Sequence, residues 1–238
     1  GQASIFTGRN VPRLTGRHYG PQPDRATRAL LAADNLFSQV VRRGKSAALL
    51  EAYPPGWHRA VASGRRLRSA YQQAAHEAGL QIPGHEALLR GDALSVDWTG
   101  EQWRAQAGFP PIPLRSAREA GARLATLAQR YDFSLFAHWP SDVIGHRGTL
   151  AQGVALLERF DQVMAGLLSA WDDSAGLVII CSDHGNMERL GDRRHTCNDV
   201  PTVVIGHRRA GFADGFRTLA DIAPRVLRAL FSPDRQAP

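Results

Sequence analysis

The chain has 238 residues, 43% of them hydrophobic, and a formal net charge of +7. That length buries a full core and fits one large α/β domain, or a domain carrying a small insertion. No apolar run is as long as a membrane span and no leader precedes the fold, so a soluble cytoplasmic protein without a membrane partner is expected.

The basic excess comes from arginines spread along the whole chain, with Lys45 the only lysine. Unclustered charge of this kind reads as solubility and attraction of a small anionic substrate, not as a nucleic-acid surface. Cys181 and Cys197 are too few for a disulfide framework.

Taken in order, Gly1 to Gly8 reads as a helix or turn. Arg9 to Pro23 reads as a loop by its Gly and Pro content, with His18 an exposed loop histidine. Asp24 caps a helix over Arg25 to Arg43 that ends at Gly44, and Ser46 to Leu50 is a short strand. From residue 53 to about 114 short helical patterns are separated by Gly and Pro, which predicts a small helical cap inserted between strands. Trp57, Trp98 and Trp103 are expected to form its private core.

Ser116 with Glu119 three residues later is a capping-box pattern, opening a helix that runs to about Tyr131. Phe133 to Trp139 is a strand, and Pro140 to Arg147 reads as a loop because Pro140 and Gly145 flank Asp142 and His146. Thr149 caps a long amphipathic helix whose stripe of Leu150, Val154, Leu157, Met164, Leu168 and Trp171 is expected to be core. Leu177 to Cys181 is a buried strand, with Cys181 packing as a small hydrophobe. Asp183 and His184 follow at its end, and His195 returns just before the apolar run Val200 to Ile205. Ile222, Val226, Leu227 and Leu230 form a last helical face, and the tail after Phe231 is expected to be loose. Strands alternating with helices predict an α/β fold: a mostly parallel central sheet with helices on both faces.

Three motifs carry chemistry: D-V-I-G-H at Asp142 to His146, SDHGN at Ser182 to Asn186, and HTCNDVP at His195 to Pro201. Each places carboxylate or imidazole groups at a strand end, where open α/β sheets bind ligands. Together, and in this order, they resemble the alkaline phosphatase superfamily, in its cofactor-independent phosphoglycerate mutase and phosphopentomutase branch. The resemblance implies two divalent ions, Zn or Mn. Asp142, His146 and His195 would hold the first, and Asp183 and His184 would help hold the second. Beside these ligands, Arg147 is read as a bidentate contact for a substrate phosphate or as a surface arginine, and Asn186 as orienting its loop through the side-chain amide or as touching substrate. Cys197 is not an expected ligand, because such sites favour oxygen and imidazole donors.

The same resemblance implies a first strand ending in an Asp ligand, and a Ser or Thr nucleophile just before a segment like Phe6 to Asn10. Neither is present, so both are expected ahead of Gly1; Ser4 and Thr7 are poor substitutes. The implied organisation is a metal-binding core over residues 1–52 and 115–238, with the cap over 53–114. The implied activity is a phosphohydrolase or small-substrate phosphomutase, since a cap of this length is too short for the second domain of phosphoglycerate mutase. Alternatives are a sulfatase-type hydrolase, or a relative without catalysis that binds metal or nucleic acid.

Overall fold

The computed structural model describes residues 1–17, 20, 22–105, 112–174 and 176–232. His18 and the tail beyond Ser232 lie outside the described residues. The chain opens with α1 (Gln2–Thr7), α2 (Val11–Thr15), α3 (Arg25–Ala33) and α4 (Leu36–Arg42), followed by β1 (Ala47–Leu49). Helices α5 (Pro55–Ala62), α6 (Ala70–Glu77), α7 (His85–Arg90) and α8 (Glu101–Arg104) make up the next stretch. Then come α9 (Ala117–Ala128), β2 (Phe133–Leu135), α10 (Pro140–Arg147), α11 (Leu150–Ala170), β3 (Leu177–Cys181), β4 (Thr202–Gly206), α12 (Arg209–Ala213) and α13 (Ile222–Phe231).

Local chemistry sets most boundaries. The Asp24 carboxylate accepts from Thr27 N at 2.8 Å, and Ser116 and Thr149 both form complete capping boxes. The single helix expected over 25–43 is broken at Asn35. Its fully buried side chain accepts from Ser38 N at 3.0 Å and donates to Leu31 O at 2.9 Å, so one amide ends α3 and begins α4.

The fold is α/β, with two strand pairs set between two helical layers. Strand β1 pairs parallel with β2, and β3 pairs antiparallel with β4. Phe133 and Leu135 of β2, Leu177, Ile179 and Cys181 of β3, and Val204 of β4 all pack on a core built by α1, α3, α4, α6, α12 and α13. Alternate residues, including Ala48 and Val178, face a second core from α9 and α11. A continuous, mostly parallel sheet is not recorded among the described residues. Between β3 and β4 the chain runs through the motif loop, without the crossover helix that a parallel return requires, so the pair is antiparallel.

Three further expectations are revised. Pro140 to Arg147 is a helix, not a loop: Pro140 stands in its first turn, where a fixed φ and a missing N–H cost nothing. The stripe of α11 is only partly core. Met164 and Trp171 pack on the second core, but Leu150 is 72% exposed, and Val154, Leu157 and Leu168 are also exposed. The buried face is instead Gly153, Val163, Gly166 and Leu167. Here α9 and α11 touch through backbone: a Cβ on Gly121 would stand 1.9 Å from Val163 O, and one on Gly166 1.9 Å from Arg118 O.

The stretch over 53–114 is helical, but its packing is shared. Ala70, Tyr71, Ala74 and Ala75 of α6 belong to the main core, while Trp103 sits in a small core with Ala52, Leu88, Ala93 and Ile112. Trp98, at a left-handed φ of 64°, lies flat on His138 with centroids 3.7 Å apart. Leu94 N donates to Leu50 O and Ala52 N to Leu94 O, both at 2.8 Å, so the stretch closes at the end of β1.

Candidate metal centre

Two segments bring the motif residues together. On α10, Asp142 and His146 are four apart and share one helix face, the spacing at which side chains meet. Beyond β3, the loop with Asp183 and His184 is closed by a bridge between Gly185 and Thr196, with Thr196 N donating to Gly185 O at 2.8 Å. That closure sets His195 on His184, their rings stacked 3.6 Å apart. The Glu188 carboxylate supports the loop, accepting from Asn198 Nδ2 at 3.0 Å and from the Thr196 hydroxyl.

The four groups converge on one atom. Asp142 Oδ1 lies 3.3 Å from His146 Nε2, 3.4 Å from His184 Nε2 and 3.6 Å from His195 Nε2. His146 Nε2 and His195 Nε2 are 3.1 Å apart. Donor atoms of Asp142, His184 and His195 all fall within 4.8 Å of one another, close enough to share an ion. Asp183 stands at the edge, its Oδ1 3.8 Å from His184 Nε2. His184 Nδ1 is buried without a hydrogen-bond partner among the described residues. Two imidazoles and a carboxylate within reach of one ion, with His146 beside them, form a donor set suited to a divalent transition metal.

The other expected site residues behave differently. Asn186 is 5% exposed, and its amide nitrogen donates to Asp142 Oδ1 at 3.0 Å and to Asp142 main-chain O at 3.2 Å. It therefore touches a candidate ligand. Arg147 is exposed at the end of α10 and makes no hydrogen bond or ion pair among the described residues. Ser4 Oγ accepts from Val11 N at 3.2 Å, and the Thr7 hydroxyl donates to Ala3 O at 2.7 Å, so both are engaged locally.

A fully buried group and a half-buried one escaped the sequence reading. Glu51, fully buried just past β1, accepts from Ala137 N at 3.2 Å and from the Tyr53 hydroxyl at 3.4 Å, and Tyr53 Oη lies 2.6 Å from Tyr71 Oη. Burial pushes its carboxyl up to about 8. The available signal was an acid directly after an apolar strand. His138, beneath Trp98, has its Nδ1 2.7 Å from Val96 O, and burial pushes its imidazole down to about 4.

Residues 113–233 match the family model described as the Metalloenzyme superfamily. The chain is similar to 2,3-bisphosphoglycerate-independent phosphoglycerate mutases. It is 32% identical to that of Desulforudis audaxviator over 127 residues, covering 51% of this chain and 25% of that protein. For the Pseudomonas aeruginosa PAO1 protein the identity is 35% over 124 residues, covering 48% and 24%. For the Streptomyces coelicolor protein it is 32% over 181 residues, covering 70% and 35%. The chain thus spans between a quarter and about a third of the length of these relatives. In fold it is similar to the PH0037 protein from Pyrococcus horikoshii, with a TM-score of 0.51 at 18% identity, covering 84% of this chain and 53% of that one. Since the matched region takes in half the chain and all five candidate ligands, the chain belongs to the Metalloenzyme superfamily.

Proposed function

We propose that the chain carries the metal site of a metal-dependent phosphoryl-transfer enzyme, a phosphohydrolase or small-substrate phosphomutase, that takes two divalent ions, Zn or Mn. The observation that carries this reading is the gathering of His146, His184 and His195 within 3.3 to 3.6 Å of Asp142 Oδ1. The relatives named as phosphoglycerate mutases support phosphoryl transfer on a small phosphorylated substrate.

In this reading Asp142, His146 and His195 hold one ion and Asp183 and His184 serve the other, with His184, 3.4 Å from Asp142 Oδ1 and within sharing distance of Asp142 and His195, standing between the two. Bound there, such ions polarise a phosphoryl oxygen and offset charge on the attacking and leaving oxygens. Arg147, exposed and with no side-chain partner among the described residues, offers its planar fork to a substrate phosphate. Ser4 and Thr7 are not assigned as the attacking hydroxyl, because both already serve the local backbone. Residues 1–52 and 115–238 act as the metal-binding core, and 53–114 shapes access for the substrate.

Calorimetric titration with Mn²⁺ and Zn²⁺ tests the site, and hydrolysis of p-nitrophenyl phosphate tests the chemistry. Saturable binding is expected, lost in Asp142→Ala, together with ion-dependent hydrolysis abolished by Asp183→Ala. A chain that binds neither ion at millimolar concentration refutes the site. The hydrolysis arm uses the full-length protein, with whatever residues precede Gly1, and tight ion binding by it with no turnover on any phosphate ester refutes the enzyme.

A further inference from the structure

Asn186 ties the two ligand-bearing segments to each other. It follows His184 by two residues, and its own carbonyl accepts from Arg189 N at 3.0 Å, which fixes it at the start of a 3₁₀ turn over Met187–Arg189. From there its amide reaches α10 and donates twice to Asp142, once to the carboxylate oxygen on which the imidazoles converge and once to the main-chain carbonyl. Both acceptors belong to one residue, so the amide fixes the carboxylate relative to the helix backbone.

The space for this amide is made by Gly145, three residues on from Asp142. A Cβ at Gly145 would stand 2.4 Å from Asn186 Oδ1, 2.5 Å from its Cγ and 2.6 Å from its Nδ2. Glycine is unfavourable inside a helix, yet here any larger residue would expel the amide. The Gly145 slot and the Asn186 amide form one device, split between the α10 motif and the loop motif.

We propose that Asn186 is a positioning residue for the metal centre. Seated in the Gly145 slot, it sets the orientation of the Asp142 carboxylate and couples the ligands on α10 to those on the Asp183–His184 loop. This rests on the metal-centre reading and deepens it. Of the two roles open to Asn186, orienting its surroundings or touching substrate, it selects the first and extends it from the loop to the Asp142 carboxylate, since the amide nitrogen is already committed to that ligand. Groups that orient a ligand typically change metal affinity 10- to 100-fold when removed.

The test is Mn²⁺ affinity, read by electron paramagnetic resonance, for wild type, Asn186→Ala, Gly145→Ala and the double variant, with circular dichroism to confirm folding. Asn186→Ala is expected to weaken Mn²⁺ binding about tenfold or more and to alter the spectrum of bound Mn²⁺. Gly145→Ala should do the same, and the double variant should be no worse than either single one, because both break one contact. If Gly145→Ala does not fold, Asn186→Ser, too short to reach Asp142, takes its place. Wild-type affinity in Asn186→Ala, or multiplying effects in the double variant, overturns the positioning role while the metal centre stands. Wild type that binds no Mn²⁺ overturns both.

Discussion

Glu51→Gln isolates the cost of keeping an acid where water cannot reach it. No cation pairs with this carboxyl among the described residues, and its partners are a backbone N–H and a tyrosine hydroxyl. Desolvation is the largest cause of its rise from 4.5 to about 8. The folded protein therefore keeps a proton that the unfolded chain has already released. Stability is unaffected below the unfolded value, falls as pH rises from there, and levels off above the folded one. The slope inside that window is about 1.4 kcal/mol per pH unit, and the whole window amounts to about 5 kcal/mol. Glutamine keeps an acceptor for Ala137 N and can meet the Tyr53 hydroxyl, which accepts as well as donates, with its amide N–H, but does not titrate. Between pH 6.0 and 7.5 wild type should therefore lose about 2 kcal/mol more stability than the variant. Burial pushes the Tyr53 and Tyr71 hydroxyls above the ordinary tyrosine range, so neither titrates in that interval. Equilibrium urea unfolding of both proteins at both pH values measures the difference, with equal m-values as the control. Parallel loss in the two proteins would refute the reasoning.

Gly166→Ala should destabilise by about 3 kcal/mol in urea unfolding, because its Cβ would drive into Arg118 O. Gly153→Ala on the same helix, where the nearest atom is Leu190 Cδ1 at 3.6 Å, should instead be neutral or stabilise by about 1 kcal/mol. His138 should stay neutral well below the ordinary histidine range. Its imidazole resonances should hold constant from pH 8 to 5.5, and its contribution to stability should fall as pH drops from 6.5 toward 4.

Sequence pattern picked out the residues that gather more readily than it traced the path of the chain. The motif residues were legible because carboxylates and imidazoles at strand ends are rare enough to stand out, and β3 was recovered because Leu177 to Cys181 is apolar and β-branched. The helical geometry of Asp142 and His146 was not legible, since Pro140 and Gly145 look like loop signals. Their real reasons are an N-terminal turn and a slot for Asn186. The burial of α11 was misread because large side chains dominate a periodic pattern. Contact with α9 depends on Gly121 and Gly166, which let the backbones approach. The break at Asn35 was missed because a buried amide inside an apolar repeat adds little to periodicity.

The backbone exchange between Leu50 and Leu94 has a consequence for how such proteins diversify. It pins the exit and re-entry of more than forty residues to one point beside β1. Closure entropy grows only logarithmically with length, about 0.6 kcal/mol per doubling, so this stretch can be trimmed, extended or grafted from a relative without moving the strand ends. Any exchange has one constraint: the graft must present small and aromatic residues where Ala70, Tyr71, Ala74 and Ala75 now seal the main core. Within that rule, the inserted stretch and the segments that carry Asp142 and His184 can vary independently.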